Sequence, residues 1–136
     1  MKVLAIDYGA KRVGLAIGDS ETNLALPHGV LADMNDDELV NRLKEIIIEE
    51  EIDIIIVGEP VTLAGYASEQ TQKSREFAQL LEKYLTVPVK LFDERLTSRR
   101  ADAATLGATM PTRNRDELAA MFLLQDYLDK QKSNNF

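Results

Sequence analysis

Four consecutive β-branched residues, Ile54-Ile55-Ile56-Val57, follow Asp53 and stop at Gly58-Glu59-Pro60. A strand that is apolar on both faces needs cover on both sides of its sheet, which is the position of a buried parallel strand between helices. The flanking sequence supplies the other parts. Val3-Leu4-Ala5-Ile6-Asp7 is a short apolar run ending at Tyr8-Gly9-Ala10. From Arg12 to Gly18 the chain alternates, with Val13, Leu15 and Ile17 on one face and Gly14, Ala16 and Gly18 on the other. A third β-like stretch covers Leu24 to Leu31, with Pro27 near its start. Turn-sized gaps join the three, so they read as an antiparallel meander.

The period then changes. After an N-cap at Asn35 or Asp36, Leu39, Val40, Leu43, Ile46 and Ile47 recur at helical spacing. A second amphipathic helix, capped by Ser68, carries Phe77, Leu80, Leu81 and Tyr84. Val87 to Phe92 reads as a further strand, Ser98 to Leu106 as a short helix, and Asp116 to Asp129 as the final helix. The order β-β-β-α-β-α-β-α-α predicts an α/β fold with a five-stranded mixed sheet and helices on both faces. Right-handed crossovers for the fourth and fifth strands, with strand one central, give the strand order 3-2-1-4-5. A chain of 136 residues fits one domain, expected over residues 1–130, with a flexible polar tail over 131–136.

Composition narrows the function classes. The absence of cysteine excludes disulfides and thiolate metal sites. No apolar run approaches the roughly 20 residues needed to span a bilayer, and the first strand begins at Lys2, too early for a signal peptide, so the expected location is cytoplasmic with no membrane partner. A net charge of −7 argues against a polyanionic partner until its distribution is considered. Ten acidic and two basic residues lie between Asp33 and Glu59, leaving the remainder of the chain near neutrality. Local patches decide where an anion can land.

Asp7 is the strongest single indicator of chemistry. A carboxylate at the end of an apolar strand is costly to bury unless it is paired or holds a metal ion, although an Asx turn onto Gly9 would also place an aspartate there. Gly9 and Gly14 leave room near Asp7 for close approach, and Lys11 and Arg12 put positive charge on the same hairpin. Of Asp93 and Glu94 at the end of the fifth strand, only one can share a face with a metal ion, because successive side chains alternate. The plainer alternative is that both are loop carboxylates with Arg95 as their ion-pair partner. Asp116 starts the final helix, where the helix dipole alone would favour an acid. Ala119, Ala120 and Leu123 follow on its face and would let that helix lie close to the sheet. His28, the single histidine, sits beside Pro27 on a meander strand and is assigned no role.

Four collinear segments then carry a resemblance over nearly the whole chain: D-Y-G-A-K-R-V-G-L-A from Asp7, G-E-P-V-T-L-A-G from Gly58 with E-Q-T after it, D-E-R-L-T from Asp93, and R-D-E-L-A-A from Arg115. Together they resemble the YqgF family, also called RuvX. The resemblance implies a ribonuclease H-like fold related to Holliday-junction resolvases. It also implies a nuclease that trims the 5′ end of precursor small-subunit (16S) ribosomal RNA, some members being described as junction-resolving enzymes. Carried onto this chain, the family's catalytic and metal-binding acids fall on Asp7, Glu94 and Asp116, and its basic, nucleic-acid-binding positions on Lys11, Arg12 and Arg95. Two positions depart from the family pattern: Glu59, where an apolar residue is usual, and Ala64, where asparagine is common. Glu59 ends the strand expected beside strand one, and it either rivals Glu94 as the second ligand or simply belongs to the acidic face.

The expected reaction is phosphodiester hydrolysis assisted by Mg²⁺ or Mn²⁺, which hard oxygen ligands favour. Asp7 would bridge two ions, with Glu94 and Asp116 holding one each. Three rivals remain at the level of sequence: a resolvase acting on four-way DNA, which favours a homodimer over a monomer; a non-catalytic nucleic-acid-binding module; and the phosphate loop of an actin-like or sugar-kinase ATPase, which needs a second such domain.

Overall fold

The computed structural model describes residues 1–61, 66–93 and 112–134. Five strands form one sheet: β1 Lys2–Tyr8, β2 Arg12–Asp19, β3 Leu24–Ala32, β4 Ile54–Glu59 and β5 Val89–Asp93. Three helices accompany them among the described residues: α1 Asp36–Glu49, α2 Glu69–Tyr84 and α3 Thr112–Asn134. The sheet order is β3-β2-β1-β4-β5, with β1 antiparallel to β2 and parallel to β4, as the periodicity predicts. The Lys2 amide donates to Asp53 Oδ2 at 2.7 Å and the Asp53 amide donates to the Lys2 carbonyl at 2.8 Å, so the entrances to β1 and β4 are tied together.

The sheet divides two cores. Leu4, Ile6, Val13, Leu15, Ile55 and Val57 pack with Leu39, Leu43 and Ile46 of α1 and with Phe77 and Leu81 of α2. On the other face Val3, Ala5, Ala16, Ile54 and Ile56 pack with Ala120, Leu123, Leu124, Tyr127 and Leu128 of α3. The β-branched run of β4 therefore serves both cores alternately, which is why it carries no polar residue. The acidic segment lies with α1, on the face away from α3. Three acids stand in the first turn of α1, where the helix dipole favours them.

Local chemistry sets the ends. Asn35 caps α1 in a reciprocal box with Glu38, and Ser68 caps α2 in the same way with Thr71. Pro27 is tolerated because β3 is an edge strand and its missing N–H breaks no ladder on the outer side. Gly29, at φ 96°, absorbs the extra residue where the β2–β3 register shifts between Gly14 and Ala16.

Three boundaries differ from the sequence reading. β5 begins at Val89 rather than Val87, because Thr86 and Val87 form the bend that turns the chain from α2 into the sheet. Tyr84 is about half exposed rather than buried, since the core contacts of α2 end at Leu81. The last helix starts at Thr112, not Asp116, and continues to Asn134, beyond Asp129 and past the point where the tail was expected to begin. Thr112 to Arg115 carry no apolar residue, so periodicity is silent there, and no glycine or proline stops the helix after Asp129. The short helix expected over Ser98 to Leu106, and Ala64, lie outside the described residues.

Candidate active site

β1 fixes the orientation of Asp7. Alternation sends Leu4 and Ile6 toward α1 and α2 and sends Val3, Ala5 and hence Asp7 toward α3. In the antiparallel register Asp7 stands directly opposite Gly14. A side chain at Gly14 would have no space: its Cβ would lie 2.0 Å from the Asp116 carbonyl oxygen and 3.3 Å from the Asp116 Cα. The backbone of α3 therefore rests on β2 at the residue that pairs with Asp7. Lower down, side chains of α3 rest on Gly18, whose Cβ position would lie 3.0 Å from Leu124 Cδ2 and 3.1 Å from Leu128 Cδ1. Gly14, Ala16 and Gly18 thus form a floor of small residues on which α3 lies.

Asp116 belongs to the buried stripe of α3. Ala120, Leu123, Leu124, Tyr127 and Leu128 are its buried residues, and Asp116 continues that spacing one turn toward the N-terminus. It stands in the second turn, so the helix dipole at the first turn is not what places an acid here. Packing of the stripe sets the Asp116 backbone on Gly14, directly across the register from Asp7. Asp116 Oδ2 is buried and makes no hydrogen bond among the described residues, an arrangement costly for a carboxylate unless a cation compensates it. Among the described residues the compensation comes from Arg12, whose Nε lies 3.2 Å from that oxygen without the alignment of a hydrogen bond. The hard oxygen donors and this unsatisfied buried atom fit a divalent cation such as Mg²⁺ or Mn²⁺. Among the described residues no group of three or more His, Cys, Asp or Glu side chains could hold a metal ion by itself. Glu94 and Arg95 of the sequence reading lie outside the described residues. Lys11 is exposed in the β1–β2 turn beside Arg12, at the same end of the sheet. That turn is tight, for a Cβ at Gly9 would lie 2.5 Å from the Arg12 carbonyl oxygen.

Glu59 takes a different place from the one its sequence position suggests. β4 alternates as β1 does, so Glu59 shares the face of Ile55 and Val57, toward α2, and Asp7 faces away from it. Its Oε2 accepts a 2.7 Å hydrogen bond from Arg75 Nε of α2. The rivalry of Glu59 with Glu94 assumed that neighbouring strand ends share a face, and the register is one residue out of phase for that.

Several positioning residues carried no signal in the periodicity. Gln70 Nε2 donates to the Tyr8 carbonyl at 2.7 Å, and the buried Thr71 hydroxyl donates to the Pro60 carbonyl. The first turn of α2 therefore holds the exits of both β1 and β4. The Tyr8 ring stacks on Phe77 with centroids 4.1 Å apart, which fixes the residue next to Asp7. Burial, and then the negative charge of Asp36, push the Tyr8 phenol above its ordinary pKa. The E-Q-T segment was recognisable as a motif, and the hydrogen bonds of Gln70 and of the fully buried Thr71 show what it does here.

The family model matching residues 1–130 is RuvX, described as Holliday junction resolvase. The chain belongs to the RuvX family. A protein of Dictyoglomus thermophilum named "Putative pre-16S rRNA nuclease" is 39% identical over 133 residues, covering 95% of this chain and 96% of the relative. A Maridesulfovibrio salexigens protein of the same name is 39% identical over 132 residues, covering 94% and 98%. Solved structures agree on the fold. Thermus thermophilus RuvC in complex with a Holliday junction substrate superposes with a TM-score of 0.61 at 16% identity, covering 98% of this chain and 96% of that one. The fowlpox virus Holliday junction resolvase gives 0.56 at 16% identity, covering 96% and 99%. The RuvX chain therefore has the ribonuclease H-like fold, and no helix among its described residues is long and apolar enough to cross a membrane.

Proposed function

We propose that this RuvX family member is a divalent-cation-dependent nuclease acting in the cytoplasm on the 5′ end of precursor 16S ribosomal RNA. The observation that carries the reading is the buried, unsatisfied Oδ2 of Asp116 on a helix pressed against Gly14, the partner of Asp7. Asp7 and Asp116 bind the cation, with Glu94 as the third carboxylate. Support for Glu94 comes from the resemblance of the D-E-R-L-T segment to the family motif. Mg²⁺ or Mn²⁺ held there supplies Lewis acidity toward a phosphodiester. Lys11, Arg12 and Arg95 bind and orient the flanking phosphates, and the closely packed α3 excludes water from one side of the pocket. The choice of precursor rRNA rests on the names carried by the relatives.

The test is cleavage of labelled precursor 16S rRNA, unstructured RNA and four-way DNA junctions, with Mn²⁺ and with chelator. Precursor rRNA is cut by the wild type with Mn²⁺ and is left intact by the Asp7→Asn protein and in chelator. Cleavage by Asp7→Asn at the wild-type rate overturns the site. Cutting of junctions in preference to rRNA, by a two-fold dimer, replaces the substrate with the one in the family's description.

A further inference from the structure

Arg12 is the first residue of β2 and half exposed, so its guanidinium can reach both the pocket and the solvent at the sheet end. In the pocket it stands 3.2 Å from Asp116 Oδ2, yet that oxygen receives no aligned N–H from it. The contact is one of charge proximity, and it leaves the carboxylate compensated but unsatisfied. A guanidinium and a divalent cation on the same carboxylate oxygen repel one another, so they compete for it. A phosphate is the better partner for an arginine, because it offers paired acceptor oxygens that match the guanidinium fork.

We propose that Arg12 is an exchangeable counter-ion: it neutralises Asp116 until nucleic-acid phosphate draws it away and leaves the carboxylate to the cation. This rests on the nuclease reading of the site and adds its regulation. Cation and nucleic acid then bind with positive coupling, and by linkage each tightens the other by the same factor. The protein would keep a low affinity for free cations and acquire its full cation complement only with a polynucleotide in place. A solely structural role, pinning α3 to β2, makes the opposite statement: loss of Arg12 would loosen the pocket and weaken cation binding.

The experiment is calorimetric titration of Mn²⁺ into wild type, Arg12→Gln, Arg12→Ala and Arg12→Lys, each with and without a hydrolysis-resistant phosphorothioate single-stranded RNA. Thermal unfolding verifies that each variant is folded, and two neutral replacements guard against the loss of one. In the wild type the RNA tightens Mn²⁺ roughly fivefold or more, the lower end of ordinary coupling between sites. In Arg12→Gln and Arg12→Ala the Mn²⁺ affinity without RNA rises by a similar factor and the RNA effect disappears, whereas Arg12→Lys keeps the low Mn²⁺ affinity without RNA but, lacking the fork, shows a smaller RNA effect. Anisotropy of the labelled RNA shows the reciprocal tightening by Mn²⁺. Equal or weaker Mn²⁺ binding by folded neutral variants, or an RNA effect that survives in them, overturns the proposal while leaving the cation site standing. Absence of Mn²⁺ binding in the wild type and in every variant overturns the site itself.

Discussion

Gly14→Ala adds one methyl group at the place where α3 touches the sheet. The new carbon would lie 2.0 Å from the Asp116 carbonyl oxygen, whereas ordinary contact begins at 3.4 Å, and the obstacle is backbone rather than a flexible side-chain end. The start of α3 must recede by about 1 Å or more, because β2 is held on both sides by β1 and β3. Overpacking of this kind costs about 1–3 kcal/mol, partly offset by the 0.5–1 kcal/mol that glycine to alanine ordinarily returns in a strand. The net loss is about 0–2.5 kcal/mol, which for a domain of this size lowers the melting temperature by at most roughly 10 °C. Activity should fall much further, since a displacement of about 1 Å in a catalytic group costs on the order of a hundredfold. Urea unfolding and initial rates on the same samples, with Mn²⁺ affinity measured in parallel, separate the two effects. A Gly14→Ala protein with wild-type melting, cation affinity and rate would refute the claim that close approach at Gly14 is what places Asp116.

Glu59→Gln should leave Mn²⁺ stoichiometry and affinity within about twofold of wild type, because Glu59 faces Arg75 on the opposite side of the sheet, whereas Asp116→Asn should remove the binding heat. Thr71→Val keeps the shape of a fully buried side chain while deleting the donor to the Pro60 carbonyl, and should cost about 1–3 kcal/mol in urea unfolding. Asn35→Ala removes the cap of α1 and should cost about 1 kcal/mol by the same measurement, with cleavage unchanged. The Tyr8 phenol binds its proton more tightly in the folded chain than in the unfolded one. Its contribution to stability is therefore complete below the ordinary tyrosine pKa of about 10 and is lost as pH rises through the higher folded value. Tyr8→Phe should flatten that alkaline loss in melting curves taken between roughly pH 9 and 12. Tyr127, also raised by burial, supplies what alkaline slope remains.

The sheet was legible because its signals are written twice over. Ile54 to Val57 announce cover on both faces, and the alternation of Val13, Leu15 and Ile17 against Gly14, Ala16 and Gly18 already separates the two cores. The glycine and alanine series even foreshadows the floor on which α3 rests. Periodicity failed where residues neither enter a core nor break an element: Thr112 to Arg115 are helical with no apolar mark, and Val87 is apolar yet lies in a bend. Residue type proposed Asp7 and Asp116; register and packing add that the Asp116 backbone rests on Gly14, the residue paired with Asp7. Glu59 illustrates the converse. Its chemistry and its nearness to β1 were both apparent, while the one-residue phase that turns it toward Arg75 is a property of strand pairing that a single sequence does not contain. Gln70 and Thr71 were legible as a motif but not as contacts, since a polar residue at the start of a helix is expected at the surface and their partners are the carbonyls of Tyr8 and Pro60.

The placement of the acidic segment beside α1, behind the sheet from Asp116, gives the molecule an electrical front and back. A polyanion approaching the α1 face is repelled, which favours approach from the face that carries α3. Net negative charge then sharpens orientation instead of opposing capture, and raising the ionic strength should erode that guidance before it erodes the contacts made on arrival.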